Sequence, residues 1–538
     1  MPRILKKVLI TLAALVLLLI ALNYGVSYYI TKKLPSILHA EKDFPYNISY
    51  EDLDISLIDG SFTIHNASIA PKDSTETALQ QGVFGQVKRV EVHNFNLWAL
   101  LRDDKIKVKT VLLDTPEVIL YDRKKKYNVD DDIVKPFKNT ISTGSVEIRN
   151  GNFKMLDAAQ KISIKASNID FKFQNIKVDS VTVEDNIPVK FTGYTFKCDS
   201  VFYRIDKYYD MTASTLRSND TTVTVDNFKL VPKYSREAFT RSLALEKDLF
   251  AVTTKKISVP YVDWGYLDDV LFVHTPKVTF DNLHANIYRN KMPKDDPKVK
   301  PMYSELLRSI KFDLKADKIL LRNSLIEYEE QVDFTRPAAK VTFANFYATI
   351  SNVYSPVNKV NLPRTIIDAK CMFMKSTPFT VTWSFNTLDK NDAFTIKGHL
   401  KDIKMDEIDP ISKPLMNVET TGNLTEVKFN FNGNRNAATG LFAIDYDDLK
   451  VDILKEDGKK KKKLLSAIAN LFVKNKSGDP EEKPKGTTIE VTRLKDKSFF
   501  NFMWLCAQDG LKKTLLPQAV VKVLPETGKK KKKEKKKD

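Results

Sequence analysis

From residue 48 to residue 491 the chain alternates apolar and polar residues with a period of two, and this restricts what it can fold into. Alternation at that period gives a strand one buried and one wet face. The cleanest run places Phe379, Val381, Trp383 and Phe385 on one side and Thr380, Thr382 and Ser384 on the other. Phe62 and Ile64, Phe171 and Phe173, and Phe429 and Phe431 repeat the pattern. So do Val146 with Ile148, Val278 with Phe280, Phe394 with Ile396 and Ile489 with Val491. Strands and helices do not alternate as in βαβ units, so the sheet is expected to be antiparallel. The expected class is mainly β, a long curled antiparallel sheet with a few short amphipathic helices.

Turn signals punctuate the runs. Asp59-Gly60 separates two strands as in a hairpin, and one slip of register falls at Asn94. Two segments look alike: Val146-Glu-Ile-Arg-Asn-Gly, leading to Phe153 and Met155, and Ile319-Leu-Leu-Arg-Asn-Ser, leading to Ile326 and Tyr328. Both predict a repeated hairpin with its turn at the Asn. At about 4.8 Å per strand, some 25 to 30 strands in one sheet would extend ~120–140 Å. Curled about its apolar face, such a sheet makes a groove lined by Phe, Ile and Val that can shield acyl chains from water. The competing arrangement packs the same residues into sandwich cores.

Residues 8–30 read VLITLAALVLLLIALNYGVSYYI, with no charge between Lys7 and Lys32. As a helix this stretch would reach ~35 Å, enough for a hydrocarbon core of about 30 Å. Tyr24, Tyr28 and Tyr29 suit the far interface, and Arg3, Lys6 and Lys7 slightly favour a cytoplasmic N-terminus. A cleaved secretory signal is the alternative, but no clean small-x-small site precedes Tyr24. Either way the rest of the chain is expected across the membrane.

The net charge of +18 is concentrated. Residues 459–463 carry five charges and residues 529–538 a net six, leaving seven on the body. This is not the distributed basic face of a nucleic-acid binder. Cys198, Cys371 and Cys506 are far apart and offer neither a disulfide framework nor a thiolate metal site.

The expected segments are an anchor over 1–33, sheet over 34–290 and 302–458, amphipathic helices and an end cap over 459–525, and a Lys-rich tail over 526–538. Helices are expected over 235–250, 303–310, 464–473 and within 498–515. Leu464, Leu465, Ile468, Leu471 and Phe472 form an amphipathic stripe behind the first lysine run. With Phe499, Phe502 and Trp504 they are candidates for a membrane interface. The alternative is that these helices cap the last edge strand of the sheet.

The sequence carries none of the common enzyme motifs. The six histidines form no H-x-x-x-H, and the chain has no G-x-S-x-G, Walker loop or G-x-G-x-x-G. Asp130 to Asp132 and Asp268-Asp269 lack calcium-loop spacing. No catalytic residue, metal or cofactor is expected.

The order of features resembles the AsmA-like proteins of Gram-negative envelopes, relatives of the bridge-like lipid transfer proteins. The resemblance rests on the apolar stretch followed by residues 49–64, on 306–319 and 326–330, and on 422–434 running into Gly440 and 446–451. It covers nearly the whole chain as dispersed pattern; the two lysine runs depart from it. It implies an inner-membrane anchor, a periplasmic body and a groove that takes phospholipid or another acyl-chain lipid toward the outer membrane. A scaffold or outer-membrane assembly factor of the same fold, bound to an outer-membrane protein, is the first rival. An exported carbohydrate-active enzyme is the second.

Overall fold

A computed structural model describes residues 46–56, 60–71, 83–96, 99, 105–121, 141–179, 182, 189–416, 418–454 and 485–515. The stretch 8–30, the stripe Leu464, Leu465, Ile468, Leu471 and Phe472, and both lysine runs lie outside the described residues. Among those described, no helix is long and apolar enough to cross a membrane.

The chain is mainly β and divides into two compact units, 1–229 with 258–271 and 230–257 with 272–538. The strands are β1 (Tyr46–Ser49), β2 (Asp52–Ser56), β3 (Ser61–Pro71), β4 (Val83–His93), β5 (Ile106–Tyr121), β6 (Ile141–Leu156) and β7 (Ile162–Val178). Shorter strands follow: β8 (Gly193–Cys198), β9 (Ser200–Arg204), β10 (Tyr209–Ala213), β11 (Thr215–Asn219) and β12 (Thr222–Pro232). After helix α1 (Arg236–Arg241) come β13 (Leu249–Pro260), β14 (Asp263–Leu267), β15 (Val270–Thr275), β16 (Val278–Asp281) and β17 (His284–Asn290). Helix α2 (Tyr303–Arg308) leads to β18 (Asp313–Gln331), β19 (Ala339–Tyr354), β20 (Thr365–Phe373), β21 (Thr377–Phe385) and β22 (Phe394–Lys404). A 3-10 turn (Met405–Ile408) and α3 (Asp409–Met416) precede β23 (Val418–Gly433), β24 (Ala437–Ile453), β25 (Lys485–Thr492) and α4 (Phe499–Leu515).

The ladders are mostly antiparallel, with two corrections to the expected pattern. In the first unit β5 runs parallel to β6. In the second, β15, β16 and β17 run parallel to successive stretches of β18 and read as one long strand broken twice. The connection from β17 to β18 carries α2, so it is a parallel crossover with a helix of only six residues.

The two look-alike segments are not hairpins. Each lies inside a single long strand, β6 or β18, and each of these strands follows a parallel pairing. Asn150 and Asn323 are left-handed, with φ of 53° and 46°, and the register shifts beside them, between Ile148 and Gly151 and between Leu321 and Ser324. These are β-bulges. One extra residue bends the strand without reversing it. Asn tolerates this conformation because its short polar side chain can bond locally.

The creases continue across neighbouring strands. Asn66, Thr115, Asn150, Asn168 and Asn227 are left-handed in β3, β5, β6, β7 and β12. Asn323, Asn345, Asp402 and Asp448 are left-handed in β18, β19, β22 and β24. Short strands arise where a crease breaks a ladder, as where β8 and β9 share the partner β7.

Helices follow their caps. Ser235 accepts from the Ala238 N–H and starts α1, but Ser242 closes the helix and Leu249 opens a strand, so the expected helix over 235–250 is shorter than its pattern. α2 and α4 fall within their expected segments, and α3 was not anticipated.

Candidate functional site

Strand register assembles the apolar residues into continuous rows. In the second unit Val278, Ile319, Ile350, Ile367, Trp383, Ile396, Phe431, Gly440 and Ile489 are successive partners from β16 and β18 through β25. Eight of the nine are large and apolar, and nine strands extend about 38 Å. The adjacent row runs Phe280, Leu321, Ala348, Ala369, Val381, Gly398, Phe429 and Phe442. Gly398 is required there, because a Cβ would stand inside the Phe429 ring. That ring instead stacks on Phe431, with centroids 4.9 Å apart.

Coverage of this face is graded. Val278, Ile319, Ile350 and Ile367 are half-buried, whereas Trp383, Ile396, Phe431 and Ile489 are buried. The cause is α4 together with α2. Phe499 stacks on Trp383 at 4.5 Å and meets Phe394 edge-on at 5.2 Å. Tyr303 of α2 meets Trp383 edge-on at 5.1 Å. At the opposite end of the strands, α3 packs against both β19 and β23. On a flat sheet those strands would lie about 19 Å apart, so one helix about 10–12 Å wide reaches both only because the sheet curls.

Phe379, Val381, Trp383 and Phe385 share one face of β21, with Thr380, Thr382 and Ser384 on the other; Phe379 and Val381 are half-buried and Phe385 is buried. Phe429 is half-buried and Phe431 buried. Phe62 pairs with Val92, then Val111, Val146 and Phe173. Ile64 heads the parallel row to Val90, Leu113, Ile148 and Phe171. All ten residues of these two first-unit rows are buried in one apolar cluster. Of the interface candidates, Phe499 and Phe502 are core residues, while Trp504 is 43% exposed. Phe500, part of the same aromatic cluster in the sequence, and Tyr303 also reach the surface.

The chemistry of the surroundings is quiet. Burial pushes the Cys198 thiol up to about 11 and those of Cys371 and Cys506 to about 12, away from thiolate reactivity. Among the described residues no three His, Cys, Asp or Glu side chains converge as a metal site. His274, His284 and His399 each face a carboxylate, on Asp313, Glu327 and Glu426, at 3.1, 2.7 and 2.8 Å. Burial works to raise the Glu327 carboxyl, but Lys340, His284 and Asn286 outweigh it and hold it below the ordinary carboxylate range.

No family model matches the chain, and no curated protein matches it. The face is apolar, and its row from Val278 to Ile489 is half-buried at Val278, Ile319, Ile350 and Ile367 and buried at Trp383, Ile396, Phe431 and Ile489.

Proposed function

We propose that this chain is a membrane-anchored, non-enzymatic envelope protein that holds lipid acyl chains on its apolar sheet face and takes part in moving phospholipid between inner and outer membranes. The observation that carries this reading is the half-buried row Val278, Ile319, Ile350 and Ile367, continuous in register with a buried apolar core. An acyl chain needs no polar partner, and each methylene removed from water contributes about 0.8 kcal/mol. A sixteen-carbon chain laid on such a face gains on the order of 12 kcal/mol gross, before the costs of ordering it. The apolar stretch over residues 8–30 supplies the anchor in this reading.

A second reading has its own support. Trp383, Phe385 and Phe431 lie beneath α2 and α4, so that end of the face is already occupied by the chain itself. A filled face favours a scaffold or assembly factor that binds no lipid.

The two separate by photo-crosslinking in cells. A benzophenone amino acid at Ile350 or Ile367 should yield lipid adducts detected by mass spectrometry of the purified full chain. The same group at Thr349, on the opposite face of β19, should yield none. Absence of adducts at both lining positions would leave the scaffold reading.

A further inference from the structure

The hydrophilic face of the sheet carries a feature that lipid binding leaves unused. The two look-alike segments, beyond sharing a bulge, each open a cleft at the same ladder position. In the first unit Ile148, Phe171, Phe196 and Ser218 are successive partners. In the second, Leu321, Ala348, Ala369 and Val381 are. One residue further along, Arg149 matches Arg322 and Lys197 matches Lys370. The side chains of these rows point away from the hydrophilic face, but on that face their backbone floors a concavity, of about 710 Å³ in the first unit and about 670 Å³ in the second.

The clefts share their geometry and differ in charge. In the first, Glu147 pairs with both Arg149 and Lys172, Asp199 with Lys197, and Asp226 with Arg217. In the second, Arg322, Lys370 and Lys397 are exposed and form no ion pair among the described residues. The one carboxylate lining it, on Asp368, accepts from the Thr382 hydroxyl at 2.7 Å. Tyr347 is 41% exposed at its rim, with the Lys370 ammonium 5.7 Å from its ring centroid.

We propose that the second cleft, spanning β18 to β22, binds an anionic polysaccharide whose acid groups meet Arg322, Lys370 and Lys397, and that the first cleft, neutralised by its own carboxylates, does not. Four features select this ligand. The backbone of the floor is already paired within the ladder, so an added peptide strand finds no partner there. Arg322 and Lys370 stand two strands, about 10 Å, apart, a spacing that alternate sugars of an extended chain can meet. Thr349, Thr380 and Thr382 supply hydroxyls for a hydroxylated ligand. Three cations and one aromatic ring fall short of the basic, stacked track that single-stranded nucleic acid requires. This inference concerns the face opposite the apolar one and stands apart from the lipid reading.

The test is fluorescence anisotropy at low salt, with the full chain in detergent micelles and an end-labelled polygalacturonate oligomer. Unlabelled competitors are a neutral galactan, polyglutamate and oligothymidylate. The native chain should bind the labelled oligomer, with only unlabelled polygalacturonate competing well. Arg322→Glu with Lys397→Glu should weaken binding at least about tenfold, because it replaces attraction with like-charge repulsion. Arg149→Glu with Lys197→Glu should leave it unchanged. Arg149, Arg322 and Lys397 are exposed and Lys197 is only half-buried, so folding should survive, and the milder Arg322→Gln with Lys397→Gln gives a second reading with a smaller loss. The proposal is overturned by absent binding to the native chain, or by an equal effect of the two pairs. Undiminished binding by the second-cleft variants would overturn it too, pointing to the lysine runs. Equal or stronger competition by polyglutamate or the oligonucleotide would replace the polysaccharide with a different class of partner.

Discussion

Asp392 and Arg493 show how differently two buried charges can be treated a few ångströms from the same core. The Asp392 side chain is wholly buried between β21 and β22, and it accepts from Arg308 at 2.5 Å, Ser304 at 2.8 Å and Arg435 at 3.0 Å. Burial works to raise its carboxyl, but Arg308, Ser304 and Arg435 outweigh it and hold it below the ordinary range. Arg493 is 5% exposed and its side chain donates one bond among the described residues, to the Lys300 carbonyl at 2.6 Å, while its Nε has no partner. Burial pushes its guanidinium down from its ordinary value. Removing a satisfied buried charge strands its partners, whereas removing an unsatisfied one relieves a desolvation cost. Asp392→Asn should therefore cost about 3–5 kcal/mol and Arg493→Met should be neutral or stabilising by about 1 kcal/mol. Urea midpoints of the two variants decide this, and the reverse order would mean that the Arg493 charge is well compensated. The sign of the pH effect follows from the lowered carboxyl. Its stabilisation is complete above the unfolded value near 4 and is lost as pH falls through the lower folded value. The native chain should weaken from about pH 4 downward, and Asp392→Asn should flatten part of that slope.

α4 performs two tasks at the last strand. Its Asp509 accepts from the Glu490 N–H at 3.3 Å and its Lys513 donates to the Thr488 carbonyl at 3.1 Å, so side chains occupy backbone groups of β25. Its inward face, Phe499, Phe502 and Cys506, completes the core of the second unit, while Phe500 and Trp504 point outward. Phe502→Ala should cost about 3–5 kcal/mol by leaving a cavity, and Trp504→Ala should stay within about 0.5 kcal/mol. Thermal melts compare the two, and a large loss from Trp504→Ala would mean that the outward face is packed after all. This helix was legible in sequence from its dense aromatic cluster. So was the face of β21, because period two survives any tertiary setting. The creases were not, since Asn150-Gly151 carries the residues of a tight turn and only the continuing alternation at Phe153 and Met155 argues for a bent strand. α3 was hidden by Pro410, which the first turn of a helix tolerates, and by Pro414, which stands inside it. The parallel crossover was hidden because the helix expected over 303–310 is far shorter than the helix that usually joins parallel strands. The apolar rows could be read along each strand, but which end is covered depends on where α2 and α4 dock, and no local pattern encodes that.

At the scale of the whole chain, the proposed function joins the described units to the apolar stretch over residues 8–30. Both units carry apolar rows built by the same alternation, and the half-buried row of the second could meet acyl chains only if the body lies in a compartment reached from a bilayer. The charge bias around the stretch is slight: Arg3, Lys6 and Lys7 precede it, and Lys32 and Lys33 follow. Orientation by flanking lysine and arginine works through such short segments, so in the proposed reading the three leading charges favour a cytoplasmic N-terminus. Exchanging the bias should then move the body. Alkaline phosphatase fused after Asp538, active only outside the cytoplasm, is expected to be active on the native sequence. Arg3→Glu with Lys6→Glu and Lys7→Glu should lower that activity by at least about half, because acidic residues do not hold a segment inside. A fusion of β-galactosidase, active only inside, should respond in the opposite sense. Activity of the cytoplasmic reporter on the native chain would remove the body from the envelope and with it the membrane-to-membrane reading. The polysaccharide cleft and its binding test would be left standing on their own.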